Sequence, residues 1–175
     1  AASGSKSAFA GKNVGVVLFS HYLSDPRPRR AAEVLARQGA TVEVICLQAN
    51  DKEPKHETVN GVKIRRVPLK RQRGGKLTYI YQYLTFILAA FFILTARSFK
   101  RRYHLIHAHN MPDVLVFSAL VPKMLGAKVI LDLHDPMPEL MMTIFGLHQD
   151  SLAVRLLKLT EKWSARFADL VLTPN

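Results

Sequence analysis

One short run of the chain is apolar almost without interruption, "NVGVVLFS" (13–20), and "TVEVICL" (41–47), "KVILDLH" (128–134) and "DLVLT" (169–173) read as further strands. A strand with one wet face alternates apolar and polar residues, so a run that does not alternate must be covered on both faces. That is the habit of strands in a parallel sheet. "HLIHAH" (104–109) reads as a fifth strand, and helical spacing lies between the runs. In "PRPRRAAEVLARQG" (26–39), Ala31, Ala32, Val34 and Leu35 recur at helical intervals and Gly39 is a natural stop. "MPDVLVFSALVPKMLG" (111–126) reads as a helix ending at Gly126, and "SLAVRLLKLTEKWSARFA" (151–168) as a strongly periodic one. A polar loop (48–60) leads to "NGVKIRRVPL", with a turn at Asn60-Gly61 and a short edge strand carrying Val62, Ile64 and Val67. Strands alternating with helices predict an α/β class, a Rossmann-like doubly wound parallel sheet.

At 175 residues and 49% hydrophobic the chain suits one core and one domain, expected over 13–175. Residues 1–12, "AASGSKSAFAGK", lack the apolar core of a secretory signal and read as a flexible start or an expression remnant. Lys and Arg number 25 against 13 Asp and Glu, for a net charge of +12, which draws an anionic partner. Phosphates and an anionic membrane surface both fit. Nucleic acid is not expected, because no recognition motif or aromatic stacking platform accompanies the charge. Cys46 is the lone cysteine, inside an apolar run, which suits a reducing, cytoplasmic setting.

In open parallel sheets ligands bind outside the carboxyl ends of the strands. Three strand ends here are rich in polar groups: "SHYLSDPRPRR", "HAHNMPD" and "DLHDPMPE". "SDPRPRRAAEVLARQGATVEVICL", then "HLIHAHNMPDVLVFSALVPKMLGAKVILDLHDPMPEL", then "ADLVLTPN" together resemble the N-terminal half of family 4 retaining glycosyltransferases, which have the GT-B architecture. The resemblance runs from about residue 13 to 175. It implies an acceptor-side domain whose C-terminal, donor-binding partner domain is absent from these residues. It implies a retaining glycosyltransferase of the hexosyltransferase type, acting in polysaccharide biosynthesis. Such an enzyme moves a sugar from a nucleotide-sugar, a co-substrate, to a hydroxyl of a glycan or lipid-linked acceptor. These 175 residues alone would then be inactive. No cofactor and no metal are expected. The rival reading is a non-catalytic Rossmann-like binding module or subunit that recognises a phosphorylated or membrane ligand.

The resemblance implies that His134 is the catalytic-site histidine, hydrogen-bonding a hydroxyl of the donor sugar; capping of the strand end is the alternative. Asp135 and Glu139 would orient His134, bind an acceptor hydroxyl or cap a helix at 138–145. Many family members carry a glycine-rich first turn that approaches phosphate. Here "SDPRPRR" stands instead, offering Asp25 and Arg27 at a helix N-terminus as acceptor or phosphate contacts, with Arg29 and Arg30 on a solvated face. His109, Asn110 and Asp113 would line the acceptor cleft, a packed His109 being the alternative. His104, His107 and His109 do not read as a metal site, since all three come from one strand with no carboxylate in register.

Leu77 to Ala96 contains no charge, long enough as a helix to cross a bilayer. "KRQRGGK" before it and "RSFKRR" after it make both flanks basic, and a crossing would separate strands of one sheet. Interfacial attachment at the inner face of the membrane is the expectation. The contacts would come from Tyr79, Tyr83, Phe86, Phe91 and Phe92, with Arg73, Lys76, Lys100, Arg101 and Arg102.

Overall fold

The computed structural model of the chain describes residues 8–69, 75–109, 111–133, 142–143, 146, 148–149 and 151–173. The strands are β1 (Asn13–Val17), β2 (Thr41–Leu47), β3 (His56–Val59), β4 (Val62–Val67), β5 (Leu105–His109), β6 (Lys128–Asp132) and β7 (Leu170–Leu172). They form one sheet in the order β3-β4-β2-β1-β5-β6-β7. All pairings are parallel except that of β3 with β4. Each of the five strands read from the sequence is present, and all pair in parallel.

The other two strands differ from expectation. The segment 62–67 is not an edge strand, because β3 pairs outside it and takes the edge. Asn60 (φ 50°) and Gly61 (φ 79°) both adopt left-handed backbone and pair Val59 with Val62 across a two-residue turn. Positive φ at both central positions is the turn whose twist suits a hairpin. The four residues of β3, "HETV", alternate between exposed and half-buried and carry one strongly apolar side chain, so hydrophobic periodicity is silent there.

The α-helices whose full extent lies among the described residues are α1 (Pro26–Arg37), α2 (Lys76–Lys100), α3 (Leu120–Met124) and α4 (Leu152–Phe167). The single helix expected over 111–126 is instead a 3-10 helix, Asp113–Ala119, followed by the short α3. Pro122 supplies the reason. Lacking an N–H, it is tolerated only in the first turn of an α-helix, so the α-helix starts just before it. Ahead of β1, residues 8–12 belong to the fold rather than to a loose start. Phe9 packs against the apolar cluster that contains Val14 and Val42, and the Lys12 carbonyl accepts from the Thr41 N–H at 2.8 Å.

One face of the sheet buries Val17, Ile45, Leu47, Ile106, Val129 and Leu131 against α2, the 3-10 helix and α4. The opposite face buries Val14, Val16, Val42, Val44, Cys46 and Ile64 beneath α1. On α2 the inward row is Gln82, Phe86, Ala90, Leu94 and Ser98, each four residues from the last and each buried. The close approach of α2 to the sheet centres on Gly15 of β1. A Cβ there would stand 2.8 Å from the Ile106 Cδ1, 3.2 Å from Tyr103 and 3.4 Å from Leu94. The end of α2 is fixed by Glu43 of β2, which is 7% exposed and accepts from Arg97 at 2.9 Å and from the Tyr103 hydroxyl at 2.8 Å.

Asp169 ties the last crossover to the sheet. Its carboxylate accepts from the Val129 N–H at 2.9 Å and from the Lys123 ammonium at 3.0 Å. The Val129 hydrogen bond first, and Lys123 next, hold its carboxyl below the ordinary aspartate value. A depressed carboxylate contributes stability above its unfolded pKa, about 3.9, and loses that stability as pH falls through the folded value. Acid titration of stability should therefore be shallower below about pH 4 for Asp169→Asn than for the parent chain, read as denaturant midpoints across pH. Gly15→Leu should lower stability by about 1–3 kcal/mol through overpacking beneath α2, with the midpoint of denaturant unfolding as the measurement.

Candidate functional site

The first strand-to-helix turn is stiffened locally before it presents any side chain. The Ser20 hydroxyl donates to the Asp25 carboxylate at 2.7 Å, Pro26 opens α1, and Pro28 is buried. Pro at the first helical position costs no hydrogen bond and presets φ. Arg27 follows, with its side chain directed across the carboxyl edge of the sheet to Asp132 at the end of β6. Its Nε donates to Oδ2 at 3.1 Å and its Nη2 to Oδ1 at 2.5 Å.

The Asp132 side chain is only 4% exposed, whereas that of Arg27 is 43% exposed. Removing a carboxylate from water costs several kcal/mol unless it is paired with good geometry, and a two-point guanidinium contact supplies that geometry. Parallel register sets His109 of β5 directly beside Asp132. His109 Nδ1 lies 3.4 Å from Oδ2 and His107 Nε2 lies 3.6 Å from it, with the two imidazole rings 4.2 Å apart between centroids. Three strand ends, those of β1, β5 and β6, thus meet at one buried carboxylate.

Among the expected site residues, Arg27 and His109 are brought together there. Asp25 serves the turn through Ser20, and Asp113 is buried in the first turn of the 3-10 helix. Arg29 donates to Glu33 one helical turn on, at 2.9 Å, while Arg30 is exposed. His104 belongs to the opposite edge, where its Nδ1 accepts from the Asn13 N–H at 3.0 Å. Asn110, His134, Asp135 and Glu139 lie outside the described residues. Asp132 itself carried no role in the sequence reading. The signal for it was an aspartate closing the apolar stretch Val129–Leu131, two residues ahead of the expected catalytic His134.

Asp132 also corrects the reasoning about metal, because a carboxylate does stand in register with His109. One ligand atom from each of His107, His109 and Asp132 lies within 4.8 Å of the others. Both Asp132 oxygens already receive hydrogen bonds from Arg27, so a cation there would have to displace a two-point guanidinium contact. The cluster has the chemistry of a neutralised carboxylate.

A family model described as "Glycosyl transferase 4-like domain" matches residues 25–175. The chain belongs to this glycosyl transferase 4-like family. A solved structure of sucrose-phosphate synthase from Thermosynechococcus elongatus aligns with 91% of this domain at 16% identity and a TM-score of 0.59. The domain spans 41% of that chain. A second structure of sucrose-phosphate synthase from the same organism aligns with 94% of the domain, at 19% identity and a TM-score of 0.60, and the domain spans 77% of it. Likeness at these identities is likeness of fold, the Rossmann-like half of a GT-B glycosyltransferase. No curated protein matches the chain significantly.

In this glycosyl transferase 4-like domain, the residues expected to meet a membrane divide between two faces of α2. Phe86 is 0% exposed and packs edge-on against Phe19 of the core, so it cannot face lipid. Its place four residues after Gln82 and four before Ala90 puts it on the inward row. Tyr79, Tyr83 and Phe91 are half-buried, Phe92 is exposed, and Lys100, Arg101 and Arg102 are exposed at the helix end. Arg73 and the Lys76 side chain lie outside the described residues.

Arg27→Met leaves Asp132 buried without its guanidinium and should cost about 1–3 kcal/mol of stability. Adding Asp132→Asn should recover part of that loss. A double-mutant cycle by denaturant unfolding measures the coupling, expected to be about 1 kcal/mol or more.

Proposed function

We propose that the chain is the acceptor-side half of a retaining glycosyltransferase that moves a sugar from a nucleotide-sugar donor to a hydroxyl of a glycan or lipid-linked acceptor. The observation that carries this reading is the meeting of Arg27, His109 and Asp132 at the carboxyl edge of the sheet, in a domain of the glycosyl transferase 4-like family. That edge is where ligands enter sheets of this kind.

Arg27 has the chemistry for an anionic group. Asp132 uses donors on Nε and Nη2, and a guanidinium carries five N–H bonds, so further donors remain on a side chain that is 43% exposed. A phosphate or acceptor oxygen arriving at the edge would meet a guanidinium whose direction is already fixed. Asp132 fixes it from behind, and the buried imidazole of His109 backs the same carboxylate. In this reading His134, just past β6, contacts the donor sugar, and Asp135 and Glu139 serve the acceptor side. Catalysis then rests on positioning and on stabilising the departing diphosphate, largely from the companion domain.

The test is transfer from a panel of nucleotide sugars by three proteins: this chain alone, the whole protein that contains it, and the whole protein with His134→Ala. The chain alone should be folded and inert. In the whole protein, His134→Ala should lower turnover by about 10- to 1,000-fold, the scale of one or two hydrogen bonds lost at a transition state. Robust transfer by the isolated chain, or full activity of the His134→Ala protein, would overturn the proposal.

A further inference from the structure

The outward row of α2 is as apolar as its inward row. Leu84, Leu88 and Phe92 are 56%, 55% and 65% exposed, and they sit two residues from Phe86, Ala90 and Leu94 of the buried row. Two residues turn an α-helix by about 200°, so these rows lie on opposite sides of the helix. Leu77, Tyr81 and Phe99, at 82%, 68% and 76% exposed, extend the outward row toward both ends. Only 22% of the helix's most apolar window is buried. A helix apolar all round is unsuited to water on either side.

Charge around this row selects its occupant. From Thr58 to Pro112 the chain has no Asp or Glu. Lys100, Arg101 and Arg102 are exposed beside Phe99, and "KRQRGG" directly precedes the helix in the chain, which opens on Lys76. A second copy laid on the same row would bring one +12 chain against another, with basic ends facing basic ends or the apolar row between them. An anionic lipid surface complements both the apolar row and its basic ends. Crossing the bilayer is ruled out by topology. The strand before α2 is β4, the strand after it is β5, and both belong to one sheet whose face the inward row covers.

We infer that α2 lies flat on an anionic leaflet, with Leu77, Tyr81, Leu84, Leu88, Phe92 and Phe99 entering the acyl boundary and Lys100, Arg101 and Arg102 meeting lipid phosphates. At 1.5 Å per residue the 25 residues of α2 form a contact about 37 Å long. The inference stands on the exposure and charge of α2 and is independent of the transferase reading. Vesicle binding, measured without any sugar substrate, keeps the two separate.

The experiment is flotation of the purified protein with vesicles of phosphatidylglycerol and phosphatidylcholine, and with phosphatidylcholine alone. Binding to the anionic vesicles should exceed binding to the neutral ones by about tenfold or more, and about 0.5 M salt should remove most of that difference. Leu88→Glu/Phe92→Glu should weaken anionic-vesicle binding at least about tenfold while circular dichroism and thermal melting stay those of the parent. If that pair fails to fold, Leu88→Gln/Phe92→Gln takes its place with the same expectation. Lys100→Gln/Arg101→Gln/Arg102→Gln should lose the preference for anionic vesicles. Equal vesicle binding by the Leu88/Phe92 variant and the parent overturns the inference, as does absence of binding by the parent. A parent that sediments as a dimer and a Leu88/Phe92 variant that sediments as a monomer would assign the row to a second copy and overturn it as well.

Discussion

A parallel sheet has to be covered on both faces, and the rest of this molecule is arranged around that requirement. β1 and β2, at the centre, are buried on both sides, whereas β7 near the edge leaves Leu170 and Leu172 exposed. α1 covers β1, β2 and β4 on one face, while α2, the 3-10 helix and α4 cover the other. α2 can do so only because β1 carries Gly15, where a side chain would occupy the space taken by Ile106, Tyr103 and Leu94. Glu43, rooted in β2 and gripped by Arg97 and Tyr103, holds the far end of the helix to the sheet. Cys46 belongs to this same economy of space. It is fully buried, its thiol is pushed up to about 11 chiefly by burial, and it behaves as a small apolar side chain.

Covering the faces leaves the strand ends as the place where polar chemistry collects. Parallel pairing brings the ends of β1, β5 and β6 to one edge, and there a single carboxylate organises the groups around it. Asp132 is too buried to be left without a polar partner, and Arg27 meets that need from a different strand end. The same contact aims the guanidinium along the edge. A group placed to satisfy a buried charge is thereby placed to meet a ligand, which is how a structural requirement and a functional one come to share a residue.

Much of this was legible in the sequence. The five parallel strands, α1 and α4 followed from short apolar-rich segments and helical spacing, and Asn60-Gly61 announced its turn. The family resemblance rested on strand-end motifs in the right order, and the family match over residues 25–175 agrees with it. β3 was not legible, because a four-residue strand with a largely polar sequence has no hydrophobic signal and is held by the hairpin turn and by β4. The helix over 111–126 was misread because apolar spacing does not register the missing N–H of Pro122.

The sequence by itself determined which segments seek cover from water, where the basic charge lies, and which strand ends carry polar side chains, since these depend on residue type and local spacing. Tertiary structure decided which of those side chains meet. Arg27 and Asp132 are 105 residues apart in the chain, and only strand order and parallel register bring them into contact. It also decided which side of α2 is core. Phe86 and Phe92 are alike as residues, yet one is buried and the other 65% exposed, because facing the sheet depends on where the strands stand around the helix. An all-apolar helix carries no mark of its own to say which row the sheet will take.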